Sequence, residues 1–194
     1  KAARNIAWFP GETLITGIGQ GYMLATPLQL ALSTAILANH GVPVQPRMVK
    51  AIGGIPQPKP EAGPAIKLNH PENWDRIIQT MRDVVHSKHG TARSISKNLT
   101  GYDIAGKTGT AQVLGIKQDE EYDAEKLTEW HRDHALFVGF APVVNPQIAV
   151  AVLVENGGGG GSTAAPVARQ VMDAYFHSLD EDAAVPTSRA VQQP

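Results

Sequence analysis

Residues 104–113 read Ile-Ala-Gly-Lys-Thr-Gly-Thr-Ala-Gln-Val, apolar at the start, then small and β-branched, with Gly106 and Gly109 interrupting. That pattern predicts a short strand whose glycines let another backbone come close. Strand alternation puts Thr108 and Thr110 on one face, while Lys107 starts from the other and must use its long stem to reach round. A cation and two hydroxyls gathered in this way would hold a carboxylate, and a backbone N–H beside them would stabilise an oxyanion. An extended peptide could lie along such a strand.

Upstream, residues 17–21 carry three glycines (Gly17, Gly19, Gly21) without the spacing of a dinucleotide loop and with no Gly-Lys-Ser/Thr, so they predict a tight connection. Thr26-Pro27 starts a helix, Thr26 as cap and Pro27 in its first turn. Leu28, Leu30, Ala31, Leu32, Ala35, Ile36 and Leu37 make that helix apolar nearly all round, which predicts burial; Asn39-His40-Gly41 ends it. Pro10-Gly11 reads as a turn, and residues 48–52 as a strand inside a proline-rich loop. From Pro71 to about Ser87 a second helix is predicted, with Trp74, Ile77, Ile78, Met81, Val84 and Val85 on one face. His86 and His89 stand at its end, where a cation suits the helix C-terminus.

Downstream, residues 135–141 and 147–154 form the clearest hairpin, its apolar strands suited to cover on both faces. Asn156 and the glycines at 157–161 read as a flexible turn that can pass close to a ligand. Ser162 then caps a last helix. The long polar stretch at 115–133 could shape access to a site. His131 and His134, lacking a third ligand at sensible spacing, mark a loop-to-strand junction rather than a metal pair.

The chain has 194 residues, 42% of them hydrophobic, enough for one sizeable core that could be a domain or a piece of one. With 17 Lys and Arg against 18 Asp and Glu, net charge −1, there is no electrostatic footprint for nucleic acid. The absence of cysteine excludes disulfides, thiolate catalysis and Cys-ligated zinc within the chain. No apolar run approaches the roughly 20 residues of a membrane span.

Lys107-Thr108-Gly109 is also one of three motifs of the serine penicillin-binding proteins and related β-lactamases, the others being Ser-x-x-Lys and Ser-x-Asn. Together with Gly-Ile-Gly-Gln-Gly-Tyr-Met-Leu-Ala-Thr-Pro-Leu-Gln-Leu-Ala at 17–31 and Glu155-Asn156 before the glycine run, it makes the chain resemble a class B penicillin-binding transpeptidase domain. The resemblance runs from about Ile6 to about Phe176. It implies an α+β fold, an antiparallel sheet sandwiched between helical layers with the Lys-Thr-Gly strand at an edge. It further implies that residues 1–179 are the C-terminal portion of that domain; the tail over 180–194, acidic and then Pro- and Gln-containing, reads as disordered.

By the same resemblance Lys107 and Thr110 belong to the catalytic machinery. Lys107 keeps the cleft positive, and the Thr110 N–H is one of two oxyanion donors. Thr108, Gly109 and Thr110 bind the substrate, the two threonines its carboxylate. The implied partners are the D-Ala-D-Ala stem peptide of peptidoglycan, β-lactams, the upstream part of the same protein and rod-shape wall-synthesis proteins. No cofactor and no metal is implied, and the place is the periplasmic face of a bacterial inner membrane, the anchor lying outside this chain.

Ser94-x-x-Lys97 and Ser96-x-Asn98 match the other two motifs by letter, but they overlap, share Lys97 and lie in a polar segment without an apolar helical run, so they read as chance matches. The nucleophile is therefore expected elsewhere. A serine β-lactamase or D,D-carboxypeptidase of the same fold, or a non-catalytic interaction module, are the alternatives.

Overall fold

The structure is a computed structural model that describes residues 7–113 and 128–184. Pro10-Gly11 opens a helix, α1 (Pro10–Gly17), instead of a turn. Proline leaves no N–H unpaired at a helix start, and Glu12 Oε2 accepts the Phe9 N–H at 2.8 Å. The expected cap of the next helix, α2 (Pro27–Ala38), is formed from both sides: Thr26 Oγ1 accepts the Gln29 N–H and Gln29 Oε1 accepts the Thr26 N–H. His40 and Gly41 stop it, both with positive φ (52° and 85°).

Burial of α2 differs from expectation. Only Thr34 and Ala38 are buried, and Leu28 is 63% exposed. The helix uses one flank against the sheet, and its other apolar residues form an open surface.

The strand expected over 48–52 shrinks to β1 (Ala51–Ile52), paired with β2 (Ile55–Pro56) across Gly53-Gly54, which supply the two positive φ angles of a tight hairpin. Met48 has no strand to pair with and is fully exposed. α3 (Asn73–His86) follows the predicted span, burying Ile78, Met81 and Val85. His86 differs in role: its Nε2 accepts the Ile104 N–H at 3.3 Å, so the ring is an acceptor that ties α3 to the strand that follows.

β3 (Ala105–Ala111), β4 (His134–Ala141) and β5 (Ile148–Val154) make an antiparallel sheet in the order β3-β4-β5, placing β3 at an edge. The register sets Lys107 opposite Val138, Thr108 opposite Phe137, Gly109 opposite Leu136 and Thr110 opposite Ala135. A Cβ on Gly106 would lie 2.3 Å from Phe137 Cζ and one on Gly139 2.8 Å from Phe137 Cε1, so these two glycines make the slot that the ring fills. A π-helical turn (Gly160–Ala164) leads into α4 (Ala165–Ala184). Ser162 sits inside that turn and donates to Gly159 O, rather than capping the helix. α4 continues past the boundary expected near Leu179; the expected tail at 185–194 lies outside the described residues.

The sheet is packed on both faces. Phe137 is buried with Val85, Ile95, Ile104, Ala168 and Met172 on the α4 side. Phe140 is buried with Ala38, Ile78, Met81 and Ala105 on the α2–α3 side. Each fully buried phenylalanine contributes about 2–3 kcal/mol of burial free energy, enough to fix which face of β4 turns which way. The architecture is the predicted helix–sheet–helix sandwich.

Candidate active site

β3 sorts its residues by alternation between the two helical layers. Lys107 leaves the sheet on the α2–α3 side, at the rim of an open cleft of about 390 Å³ lined by Ser33, Leu37, Ile77, Met81 and Val138. Its stem turns back to the strand edge, where Nζ donates to Thr108 O at 2.7 Å. Thr108 lies on the opposite face, toward the π turn: its Cγ2 would be 3.5 Å from a Cβ on Gly161. Thr110 shares that face by alternation and is exposed. Lys107 starts on the expected face, and its stem carries the ammonium to the edge, as far as the Thr108 carbonyl.

The edge itself follows from two bonds. Gln20 Nε2 donates to Thr110 O at 2.8 Å and Lys107 Nζ to Thr108 O, so both carbonyls point away from β4. The N–H and C=O of one strand residue point to the same side, so the Thr108 and Thr110 N–H groups also face outward. The edge thus brings together a cation, two outward N–H groups and two hydroxyls. These can receive a carboxylate and a developing oxyanion.

Several contributors escape a reading of the sequence. Thr91 Oγ1 lies 2.9 Å from Thr108 Oγ1, joining the segment after α3 to the site. The glycine run is not merely a flexible turn. A Cβ on Gly160 would fall 2.3 Å from Leu136 O and 2.5 Å from Gly109 O, and one on Gly161 2.1 Å from Thr91 O. Backbone therefore packs on backbone, which only glycine permits. The signal in the sequence was the run itself; its partners, distant in the chain, were not readable.

Asn156 braces the far end of the site, donating through Nδ2 to Trp130 O and Arg132 O, while its N–H goes to His134 Nδ1. His134 is thereby engaged, and His131 Nδ1 pairs with Thr128 Oγ1, as a junction requires. Ser94 donates to Gly161 O at 3.5 Å and Ser96 to Arg93 O at 2.9 Å, both from a 3-10 turn (Arg93–Ser96). Neither bond is to Lys97. Of the polar stretch expected to shape access, residues 115–127 lie outside the described residues.

Comparison with known proteins then decides the family. The model of the penicillin-binding protein transpeptidase domain matches residues 2–173. The chain belongs to this family. Among transpeptidase relatives, it is 43% identical over 173 residues to the peptidoglycan D,D-transpeptidase MrdA of Haemophilus influenzae, covering 88% of this chain. The chain spans 26% of that relative's length. Its fold is similar to that of Pseudomonas aeruginosa PBP2 in complex with WCK 5153, with TM-score 0.75 and 53% identity over 90% of this chain and 34% of the other. It is also similar to Helicobacter pylori PBP2 in its complex with MreC, with TM-score 0.73 and 30% identity over 90% of this chain and 29% of the other. The transpeptidase fold expected from residues 17–31 and from the Lys107 strand is thus the fold found.

Proposed function

We propose that the protein to which this chain belongs is a peptidoglycan D,D-transpeptidase, and that this chain is the C-terminal portion of its transpeptidase domain and supplies the Lys107 strand. The observation that carries the reading is the edge of β3. A lysine ammonium, two threonines and outward N–H groups meet there within one four-residue stretch. A D-Ala-D-Ala stem peptide offers the matching chemistry: a terminal carboxylate for Thr108 and Thr110, and a scissile carbonyl whose oxygen becomes an oxyanion beside the Thr110 N–H.

A serine contributed by the upstream part of the protein attacks that carbonyl, and the amide bond to the terminal D-Ala breaks as the ester forms. The acyl group then passes to an amine of a second stem peptide, which frees the serine. Lys107 keeps the cleft positive and favours the anionic forms along this path. Gly109 keeps the strand surface low, so the substrate backbone can lie against it. β-Lactams, carrying a carboxylate and a strained acyl group, enter the same way and stall as the acyl-enzyme. The place of such an enzyme is the periplasmic face of the inner membrane, and its partners are rod-shape wall-synthesis proteins; the H. pylori relative in complex with MreC supports that reading.

The test is Lys107→Ala in the intact protein, followed by acylation with a labelled penicillin. The expected result is loss of acylation with an unchanged circular dichroism spectrum, since Lys107 is exposed and holds no part of the core. Acylation at the wild-type rate would contradict the assignment.

A further inference from the structure

Two carbonyls point outward from the working stretch of β3, and side chains of this chain occupy both. On Thr108 the donor is its neighbour Lys107; on Thr110 it is Gln20, 90 positions away in sequence. The connection that carries Gln20 is shaped around it. Its own N–H donates to Ile15 O at 3.0 Å and the Gly19 N–H to Thr16 O at 2.9 Å. Gly19 and Gly21, on either side, take left-handed φ angles of 78° and 69°, which other residues adopt only at a cost. A Cβ on Gly21 would also come within 2.9 Å of Ile15 Cγ2. Gln20 is half-buried between these constraints.

We propose that Gln20 is a positioning residue of the acyl-transfer site, an inference that rests on the function proposed above. Gly109, paired with Leu136 of β4, holds the peptide before Thr110 from one side. Gln20 holds the peptide after it from the other: with the Thr110 carbonyl engaged, the residue is kept in the strand conformation and its N–H faces outward, toward the reacting carbonyl. A second consequence is electrostatic. With both outward carbonyls engaged, an oxygen gaining negative charge at this edge meets N–H groups rather than unshared lone pairs. The benefit arises chiefly in the transition state, because the charge develops there.

The test uses the intact protein with Gln20→Ala, Gln20→Glu and, as reference, Lys107→Ala. Time-resolved acylation by a labelled penicillin separates the dissociation constant of the initial complex from the acylation rate constant. Both Gln20 variants are expected to lose about threefold to tenfold in the rate constant, the worth of one hydrogen bond. Kd should stay within about twofold and the melting midpoint should be that of the wild type. Glutamate keeps most of the side chain's shape but has no N–H to give, so it should not rescue. Wild-type rate constants in both Gln20 variants beside an inactive Lys107→Ala would overturn the role of Gln20 and leave the site reading standing. Full acylation in all three would overturn both. A joint loss of midpoint, Kd and rate constant would make Gln20 a brace of the fold and likewise overturn the proposal.

Discussion

Gly160 shows how a single residue type decides whether this edge strand can be supported from below. Its Cα sits where the carbonyls of Leu136 and Gly109 leave no space for a methyl group. Gly160→Ala must push the π turn off β3 and β4 or displace those carbonyls, and overpacking of this kind costs about 1–3 kcal/mol. The expected outcome is a denaturation midpoint lowered accordingly, read by urea unfolding of the intact protein; an unchanged midpoint would contradict the packing. At this scale the strand and its polarity were legible in the sequence, because Lys107, Thr108, Gly109 and Thr110 are neighbours whose faces follow from alternation. Gln20 and Thr91 were not, because their contacts join positions far apart in the chain, and no local rule reports a hydrogen bond to Thr110 or Thr108.

Among the elements, the attachment of the 3-10 turn at Arg93–Ser96 to α4 matters most, since the same segment carries Thr91. Arg169 donates to Ile95 O at 2.7 Å and to Asp173 Oδ2 at 2.7 Å, and Tyr102 O–H donates to Asp173 Oδ1 at 2.6 Å. The Tyr102 ring packs on Phe176, with centroids 4.4 Å apart. Burial first, and then the bond and negative charge of Asp173, push the Tyr102 hydroxyl well above the ordinary tyrosine value. For Asp173, burial alone would raise the carboxyl, but bonds from Arg169 and Tyr102 outweigh it and hold it below the usual carboxylate range.

The signs follow from those directions. Tyr102 contributes stability that is whole below the unfolded-state value of about 10 and is lost as pH rises beyond it, because the unfolded chain gives up the proton first. Tyr102→Phe is therefore expected to flatten the fall in melting midpoint between about pH 10 and 11, while lowering the midpoint at neutral pH. A Tyr102→Phe protein with the wild-type alkaline slope would contradict the network. Helix positions were readable from periodicity and caps, as Thr26 and Pro27 illustrate. The start of α4 was not: Ser162 has the composition of a cap, but the crowding of Gly160 and Gly161 against β3 and Thr91 favours a π turn there.

For the whole molecule, α2 is the element that departs most from its sequence pattern. An apolar run on nearly every side predicts burial, yet Leu28 is open and the cleft beside Lys107 is floored by Leu37, Ile77 and Met81. Sequence reports the tendency of a helix to be covered, not what covers it. The chain spans about a quarter of the H. influenzae relative, and the proposed nucleophile is a serine of the protein outside residues 1–194. The overlapping serines at 94 and 96 are the competing assignment. The decisive measurement is to treat the intact protein with a labelled penicillin, digest it and map the adduct by mass spectrometry. The expected result is label on a serine outside residues 1–194, lost in Lys107→Ala. Label on Ser94 would contradict it.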